Sequence, residues 1–291
     1  FAARMQSLAA VLVTLVTAAA AAPFGDAALN PAEAAAATAA LAALSTNQTG
    51  HAMIGGQTAS AGAWPWTVSL CIQNWFGGCG YYAAGAIISS KWIVTTYSGV
   101  YDPVMETSWR VCAGSLDWSC KGNHAQKHTV YKIWHKTDAN LDTHYHDISL
   151  IQISDSFTFN DYVKPISVLT NDDDMVKPGN YAWFTSWGHI SNSATASVTD
   201  NLHQANMLVG VSGCSTFSDH STFCGGGSGP TTCNYDMGGP MMRQKNGVYY
   251  LIGLSATKDY TVFNSCSSPT IFTRVSAFCD FMIGTAGVHC V

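Results

Sequence analysis

Two short stretches carry side chains that could take part in acyl transfer. Residues 143–147 (THYHD) place His144 and His146 beside Asp147, and residues 225–230 (GGGSGP) place Ser228 among glycines. A nucleophilic serine needs an imidazole as general base and a carboxylate that fixes the tautomer of that imidazole. Histidines this close to Asp147 in sequence cannot place a ring between its carboxylate and a remote hydroxyl. Neither stretch alone therefore predicts a catalytic triad.

The same histidines raise the question of a metal site. Side chains at positions i and i+2 of a β-strand point to one face, and imidazole is a common zinc ligand. The interpretation that we favour is a solvated loop or strand edge. We therefore predict no metal site and no cofactor.

The composition is that of a globular chain. Of its 291 residues, 47% are hydrophobic and 11% are charged. The formal net charge is -5, from 13 basic and 18 acidic residues, without a dense Lys/Arg cluster. Binding to nucleic acid or to an anionic membrane depends on clustered positive charge, so we expect neither nucleic acid nor a membrane as a partner.

The first 52 residues are interpreted as targeting and processing segments. Residues 1–22 contain the apolar run LAAVLVTLVTAAAAA, which is typical of a secretory signal peptide, and residues 1–4 are interpreted as read-through before a start at Met5. Residues 23–52 form an alanine-rich pro-segment with an N-glycosylation sequon at Asn47. The apolar run is too short for a spanning helix and lacks a basic flank, so we expect a secreted, extracellular protein.

Ten cysteines behind a signal peptide predict five disulfides, because secreted proteins fold in an oxidising compartment. The chain has no CxxC pair, which weighs against a zinc site. Four short spacings favour local bridges: Cys71–Cys79, Cys112–Cys120, Cys214–Cys224 and Cys279–Cys290.

From residue 53 onward the chain consists of short β-prone segments separated by Gly, Asn, Asp and Ser, a pattern that predicts an all-β fold. Residues 275–283 (VSAFCDFMI) predict a single closing helix. No repeat occurs at a fixed period, which disfavours a propeller or solenoid. The clearest strand segments are WTVSL (66–70), GAIIS (85–89), KWIVTT (91–96), DISLIQIS (147–154) and YYLIGLS (249–255).

In their order these segments resemble the landmarks of the trypsin-like, chymotrypsin-fold serine proteases. The resemblance covers residues 53–291 and implies a protease domain of two six-stranded antiparallel β-barrels with a short C-terminal helix. Its motifs are MIGG (53–56), WPW (64–66), AAGAIIS (83–89), WIVTTYSG (92–99), DISL (147–150), SWG (186–188) and CNYDMGGP (233–240).

By this resemblance the three triad positions are Ser98, Asp147 and Met237. Only the aspartate is kept, since Ser98 stands where the family has its histidine and Met237 where it has its serine. A thioether has no proton to lose and cannot be acylated, and a serine hydroxyl is no base near neutral pH. Ser228 does not replace the nucleophile, because only CNYDMGGP keeps the family's aspartate, Asp236.

The retained and substituted triad positions are expected to have structural roles. We predict that Asp147 is a buried carboxylate held by backbone N–H groups and by Ser255, which matches a serine of the family beside this aspartate. Met237 is expected to fill the cleft as an apolar plug.

The resemblance implies changes beyond the triad. Tyr235 replaces the glycine whose N–H helps to form the oxyanion hole. The floor of the specificity pocket is Thr231, its walls are Thr257 and Thr270, and Ala256 replaces a tryptophan of the substrate-binding strand. Branched walls are expected to obstruct a long side chain, and a threonine floor offers no carboxylate to Lys or Arg.

The resemblance also bears on the cysteines. Cys214–Cys224 and Cys233–Cys266 match bridges of the family. Two other family bridges have lost both cysteines together, at the paired positions Ala83/Gly99 and Ala182/Arg243.

Activation in the family frees an N-terminal ammonium that pairs with the aspartate before the nucleophile. Met53 and Asp236 occupy these two positions, but His51 and Ala52 precede Met53 and offer no basic cleavage site. Either another protease cuts here or the chain stays in a zymogen-like form.

We therefore expect a secreted, non-catalytic serine protease homologue, or pseudoprotease, that binds or regulates an unknown secreted protein such as a protease or another hydrolase. The alternative is an active serine-type endopeptidase with an atypical site, which is what a family-level label would imply. A structural role in a matrix has no repeat or low-complexity signature to support it.

Overall fold

The computed structural model describes residues 55–101, 106–191, 197–214, 216–227, 229–256, 266 and 268–291. The predicted signal peptide and pro-segment, Asn47, Met53 and Thr257 lie outside these residues. The described part of the chain contains 13 strands and one short α-helix. The first strand, β1 (Gln57–Thr58), is an edge strand that joins the second of two barrels.

The first barrel is closed by six antiparallel strands in the order β2-β3-β4-β7-β6-β5. Inward-facing aliphatic side chains such as Val68, Leu70, Ile93 and Ile151 are fully buried and fill it. Its strands are β2 (Thr67–Gln73), β3 (Cys79–Ile87), β4 (Trp92–Thr95), β5 (Trp109–Ala113), β6 (Gln126–His135) and β7 (Ser149–Ile153).

The second barrel follows the same plan. Its order is β9-β10-β13-β12-β11-β8, and a β8–β9 pairing closes it, while β1 adds to β9. Phe184, Phe272 and Met241 are buried at its centre. Its strands are β8 (Tyr181–Ser186), β9 (His203–Val209), β10 (Thr222–Gly226), β11 (Pro240–Lys245), β12 (Val248–Ser255) and β13 (Thr270–Arg274). The predicted pair of six-stranded barrels is confirmed.

The chain closes with a 3₁₀ turn (Val275–Phe278) that leads into α1 (Cys279–Ala286). Gly287 ends the helix in the left-handed conformation, with φ at 64°. This confirms the predicted C-terminal helix. In the part of the chain that the structure describes, no helix is long and apolar enough to cross a membrane.

All five predicted disulfides are present, and no described cysteine is free. They close loops with sequence separations of 8 to 33 residues, and a native bridge in a small secreted domain typically contributes about 2–5 kcal/mol to stability. The bridges are Cys71–Cys79, Cys112–Cys120, Cys214–Cys224, Cys233–Cys266 and Cys279–Cys290.

The positions of the missing family bridges are still neighbours. A Cβ on Gly99 would lie 3.2 Å from the Cβ of Ala83, close to the ~3.5–4.5 Å separation of Cβ atoms in a disulfide. Along β8 and β11, Met242 pairs with Trp183, so Arg243 and Ala182 come next in register. The backbone therefore keeps these positions together without the bridges.

Candidate functional site between the barrels

The structure brings the three triad positions together where the barrels meet. Ser98 follows β4, Asp147 precedes β7, and Met237 precedes β11. The Ser98 backbone N–H and Oγ donate to Asp147 Oδ1 and Oδ2, both at 2.7 Å. A Cβ on Gly99 would lie 3.5 Å from the Cβ of Met237, so Met237 lies beside the Ser98 loop.

Asp147 is buried, with 1% of its surface exposed. His144 Nδ1 lies 3.2 Å from Asp147 Oδ2, within hydrogen-bond distance. The Asp147 carbonyl accepts a hydrogen bond of 2.9 Å from Thr273 Oγ1 on β13. Ser255, which was predicted to hold this carboxylate, is fully buried on β12.

The expectation that His144 lies in a solvated loop was wrong. Its side chain is buried against Asp147 because His144 and His146 both adopt positive φ angles, 58° and 48°, which fold the loop back on itself. The Ser98 hydroxyl reaches the same carboxylate oxygen directly, at 2.7 Å.

His146 joins loops of the two barrels. Its Nδ1 lies 2.9 Å from Asp138 Oδ2 and its Nε2 lies 2.9 Å from Asp219 Oδ2. Tyr145 stacks on the ring, with the centroids 3.7 Å apart. Among the described residues no group of three or more His, Cys, Asp or Glu side chains could hold a metal ion. The His146 ring is thus largely buried between carboxylates of two loops and is not part of a solvated strand edge.

Met237 occupies the interior and not the solvent side of the site. Only 6% of its surface is exposed, and it belongs to the core cluster of the first barrel together with Ala83. Its carbonyl accepts a hydrogen bond of 2.9 Å from Ala84 N on β3. A flexible thioether suits an irregular space of this kind.

Tyr235 adopts the backbone conformation of a glycine, with φ at 68°. This conformation costs roughly 1–2 kcal/mol for a residue with a Cβ. The Tyr81 hydroxyl donates to the Tyr235 carbonyl at 3.1 Å, and the Tyr235 ring packs against His189 at 5.0 Å. Burial raises the pKa of Tyr81 above its usual value, so Tyr81 remains a neutral donor.

Asp236 is completely buried. It accepts hydrogen bonds from Cys233 N at 2.7 Å and Gly188 N at 3.0 Å, and a Cβ on Gly188 would overlap its Oδ1. Burial raises its pKa to about 7, although these hydrogen bonds oppose the shift. None of the ion pairs among the described residues involves Asp236, and Met53, its expected partner after activation, lies outside them.

The predicted pocket positions are buried. Thr231, Ala256 and Thr270 are 6%, 2% and 3% exposed. Thr270 Oγ1 lies 2.6 Å from Thr232 Oγ1, a contact that sequence reasoning missed because it depends on how β13 faces the segment before Cys233. The hydroxyl pair joins β13 to the segment before Cys233.

A cavity of about 320 Å³ lies elsewhere, and none of the triad or pocket positions lines it. Its walls include Trp64, Leu116 and Leu202, with a stacked pair of rings from His124 and Tyr162 whose centroids are 3.6 Å apart. It therefore offers no entrance to the site described above.

Comparison with known families agrees with this architecture. The family model described as Trypsin matches residues 53–282, which is well over half of the chain. The chain therefore belongs to the trypsin family.

Proposed function

We propose that this member of the trypsin family is a secreted, non-catalytic homologue that acts by binding another secreted protein. The observation that carries the proposal is the residue at the nucleophile position. Met237 has no hydroxyl or thiol, and its side chain is packed into the barrel core. Without a group that can be acylated, the covalent mechanism of the family has no first step.

The general-base position supports the same conclusion. Ser98 stands there and uses its hydroxyl as a donor to Asp147. His144 Nδ1 also contacts that carboxylate, but the Met237 side chain has no proton for His144 to remove. Asp147 therefore serves to hold the loops that carry Ser98 and His144.

The surroundings of the triad positions add further support. The Tyr235 carbonyl is held by Tyr81, and Thr270 is bonded to Thr232. Fold alone does not determine function. We infer binding from two features: the replacement of the family's catalytic serine and histidine, and the loops that are closed by disulfides. A secreted protease or another hydrolase is the class of partner that we propose.

Hydrolysis assays test the non-catalytic part of the proposal. Purified protein should not hydrolyse Arg-, Phe- or Ala-type ester substrates, while trypsin assayed in parallel should. Asp147→Asn is the matched variant, because it alters the one retained triad residue. Hydrolysis by the wild type that is lost in Asp147→Asn would instead support the alternative, an active endopeptidase with an atypical site.

Affinity capture tests the binding part. Immobilised protein should enrich a secreted protein from the tissue that secretes it, and the purified pair should then titrate to saturation. Failure of every captured candidate to bind as a purified protein would contradict a binding role.

A further inference from the structure

The hairpin between β2 and β3 exposes two large aromatic side chains at its tip. Trp75 is 97% exposed and Phe76 is 94% exposed, and the Cys71–Cys79 disulfide closes the hairpin below them. Isolated apolar side chains are common on protein surfaces, but an adjacent tryptophan and phenylalanine left almost entirely in water mark an interaction site. Both rings lie away from the triad positions, so the site described above does not explain why they are exposed.

The backbone of the tip is hydrogen-bonded within the hairpin. Asn74 N donates to Gly78 O at 2.7 Å, and Gly77 N donates to Asn74 O at 3.0 Å. Asn74 Oδ1 accepts from Phe76 N at 3.0 Å and from Gly78 N at 2.9 Å, and Gln73 Nε2 donates to Gly77 O at 3.1 Å. Most peptide groups of the tip are thus hydrogen-bonded within the hairpin itself.

The hairpin and its flanks carry no charge. Residues 67–90 contain no Asp, Glu, Lys, Arg or His. A protein interface commonly forms about one hydrogen bond per 100–200 Å², and most amide N–H groups of this tip already donate within the hairpin. An apolar, uncharged tip whose peptide groups are mostly paired instead suits the membrane–water interface, where tryptophan is enriched. It carries few unpaired backbone groups toward the hydrocarbon region, where they are costly.

We propose that this hairpin tip inserts Trp75 and Phe76 into the interface of a zwitterionic phospholipid bilayer. The expectation of no membrane partner was based on the chain's net charge, which concerns anionic surfaces and not this apolar contact. The proposal is independent of whether the trypsin-family site is catalytic. Because only two side chains enter the interface, the attachment is reversible and weak, comparable to that of a single acyl chain or weaker.

Flotation with phosphatidylcholine vesicles tests the proposal. The full-length secreted protein should float with the vesicles in proportion to lipid concentration, and added NaCl should not release it. Full burial of one aromatic side chain changes a partition constant by about 10- to 100-fold. The variant carrying Trp75→Ser and Phe76→Ser should therefore lose at least about 10-fold in partitioning. Both side chains are exposed, so the fold should be unchanged.

The matched control replaces two exposed aromatic side chains elsewhere on the first barrel. Tyr131 and Phe159 are 62% and 44% exposed, and a variant with Tyr131→Ser and Phe159→Ser should float like the wild type. Equal flotation of the tip variant and the wild type would overturn the proposal. So would the absence of flotation at saturating lipid, or binding that needs anionic lipid and is abolished by salt.

Discussion

Met237 and Asp236 are adjacent in the chain, but their burial has different effects on stability. Met237 is an apolar side chain in an apolar core, whereas Asp236 is a carboxylate buried without an ion-pair partner among the described residues. The first stabilises the fold at any pH. The second makes stability depend on pH.

Truncation of Met237 should destabilise the protein. Met237→Ala removes a buried thioether and leaves a cavity, which typically costs about 2–5 kcal/mol. Met237→Leu keeps most of the volume and should cost less than about 1.5 kcal/mol. Urea unfolding of both variants measures the difference. A loss below about 0.5 kcal/mol for Met237→Ala would show that the side chain is not packed as described.

Asp236 should make the protein less stable as pH rises. Its pKa is about 7 in the folded state, above the value of about 3.9 for an unfolded aspartate. Between these values unfolding releases a proton, so the contribution of Asp236 is fully present below about pH 4 and is lost as pH rises through 7.

The matched variant is Asp236→Asn, whose amide cannot ionise. Its free energy of unfolding, measured by denaturant titration from acid to mildly alkaline pH, should fall less with pH than that of the wild type. Parallel profiles would mean that a cation already neutralises Asp236, as an inserted N-terminal ammonium would.

At the scale of elements, the barrels supply fixed strands and the loops between them supply the site. β3 lies against the loop after β4, where Ala83 and Gly99 meet at a separation suited to a bridge. This contact needs no disulfide, because the surrounding strands are closed into a barrel.

Introducing the family disulfide that this chain lacks at positions 83 and 99 should stabilise the protein. With Ala83→Cys and Gly99→Cys, an oxidised sample should form a sixth disulfide and gain up to about 3 kcal/mol, the value for closing a loop of roughly 15 residues. The gain requires Thr96 Oγ1, which would lie 2.9 Å from the new Cβ, to move slightly. Non-reducing peptide mapping identifies the bridge, and unfolding against each single-cysteine variant measures its effect. Failure to form it would contradict the described proximity.

The strand segments and the two-barrel fold were within reach of sequence reasoning, but the contacts made by loops were not. WIVT and SLIQI form β4 and β7, because short β-branched runs bounded by turn residues favour strands. The arrangement of these strands in two barrels was predicted from the family resemblance. The burial of His144 depends on positive φ angles in a loop, which no local pattern indicated. The Thr232–Thr270 hydroxyl pair likewise depends on a distant strand.

For the whole molecule, the question is whether the two triad substitutions alone would give catalytic activity or whether further substitutions are needed. The double variant with Ser98→His and Met237→Ser restores a base and a nucleophile beside Asp147. We predict that it will not hydrolyse ester substrates. The pocket walls Thr257 and Thr270 should still exclude a primary side chain. Misplacement of the Tyr235 N–H, which stands at an oxyanion-donor position, would cost about 100- to 1,000-fold in turnover.

Recovery of activity should need changes in the pocket and the activation site as well. A matched series would add these substitutions to the double variant before trypsin cleavage: Tyr235→Gly, Thr257→Gly, Thr270→Gly and Ala52→Arg. Robust turnover by the double variant alone would show that the pocket and oxyanion hole are already functional, and that catalysis was lost only at the two triad positions.

We propose that the wild-type protein has no activated nucleophile. Reaction with an excess of a fluorophosphonate probe, followed by intact mass measurement, detects such a nucleophile, with trypsin as the positive control. We expect an unmodified mass for this protein and complete labelling of trypsin. Stoichiometric labelling that maps to a residue of this chain, such as Ser98 or Ser228, would contradict it.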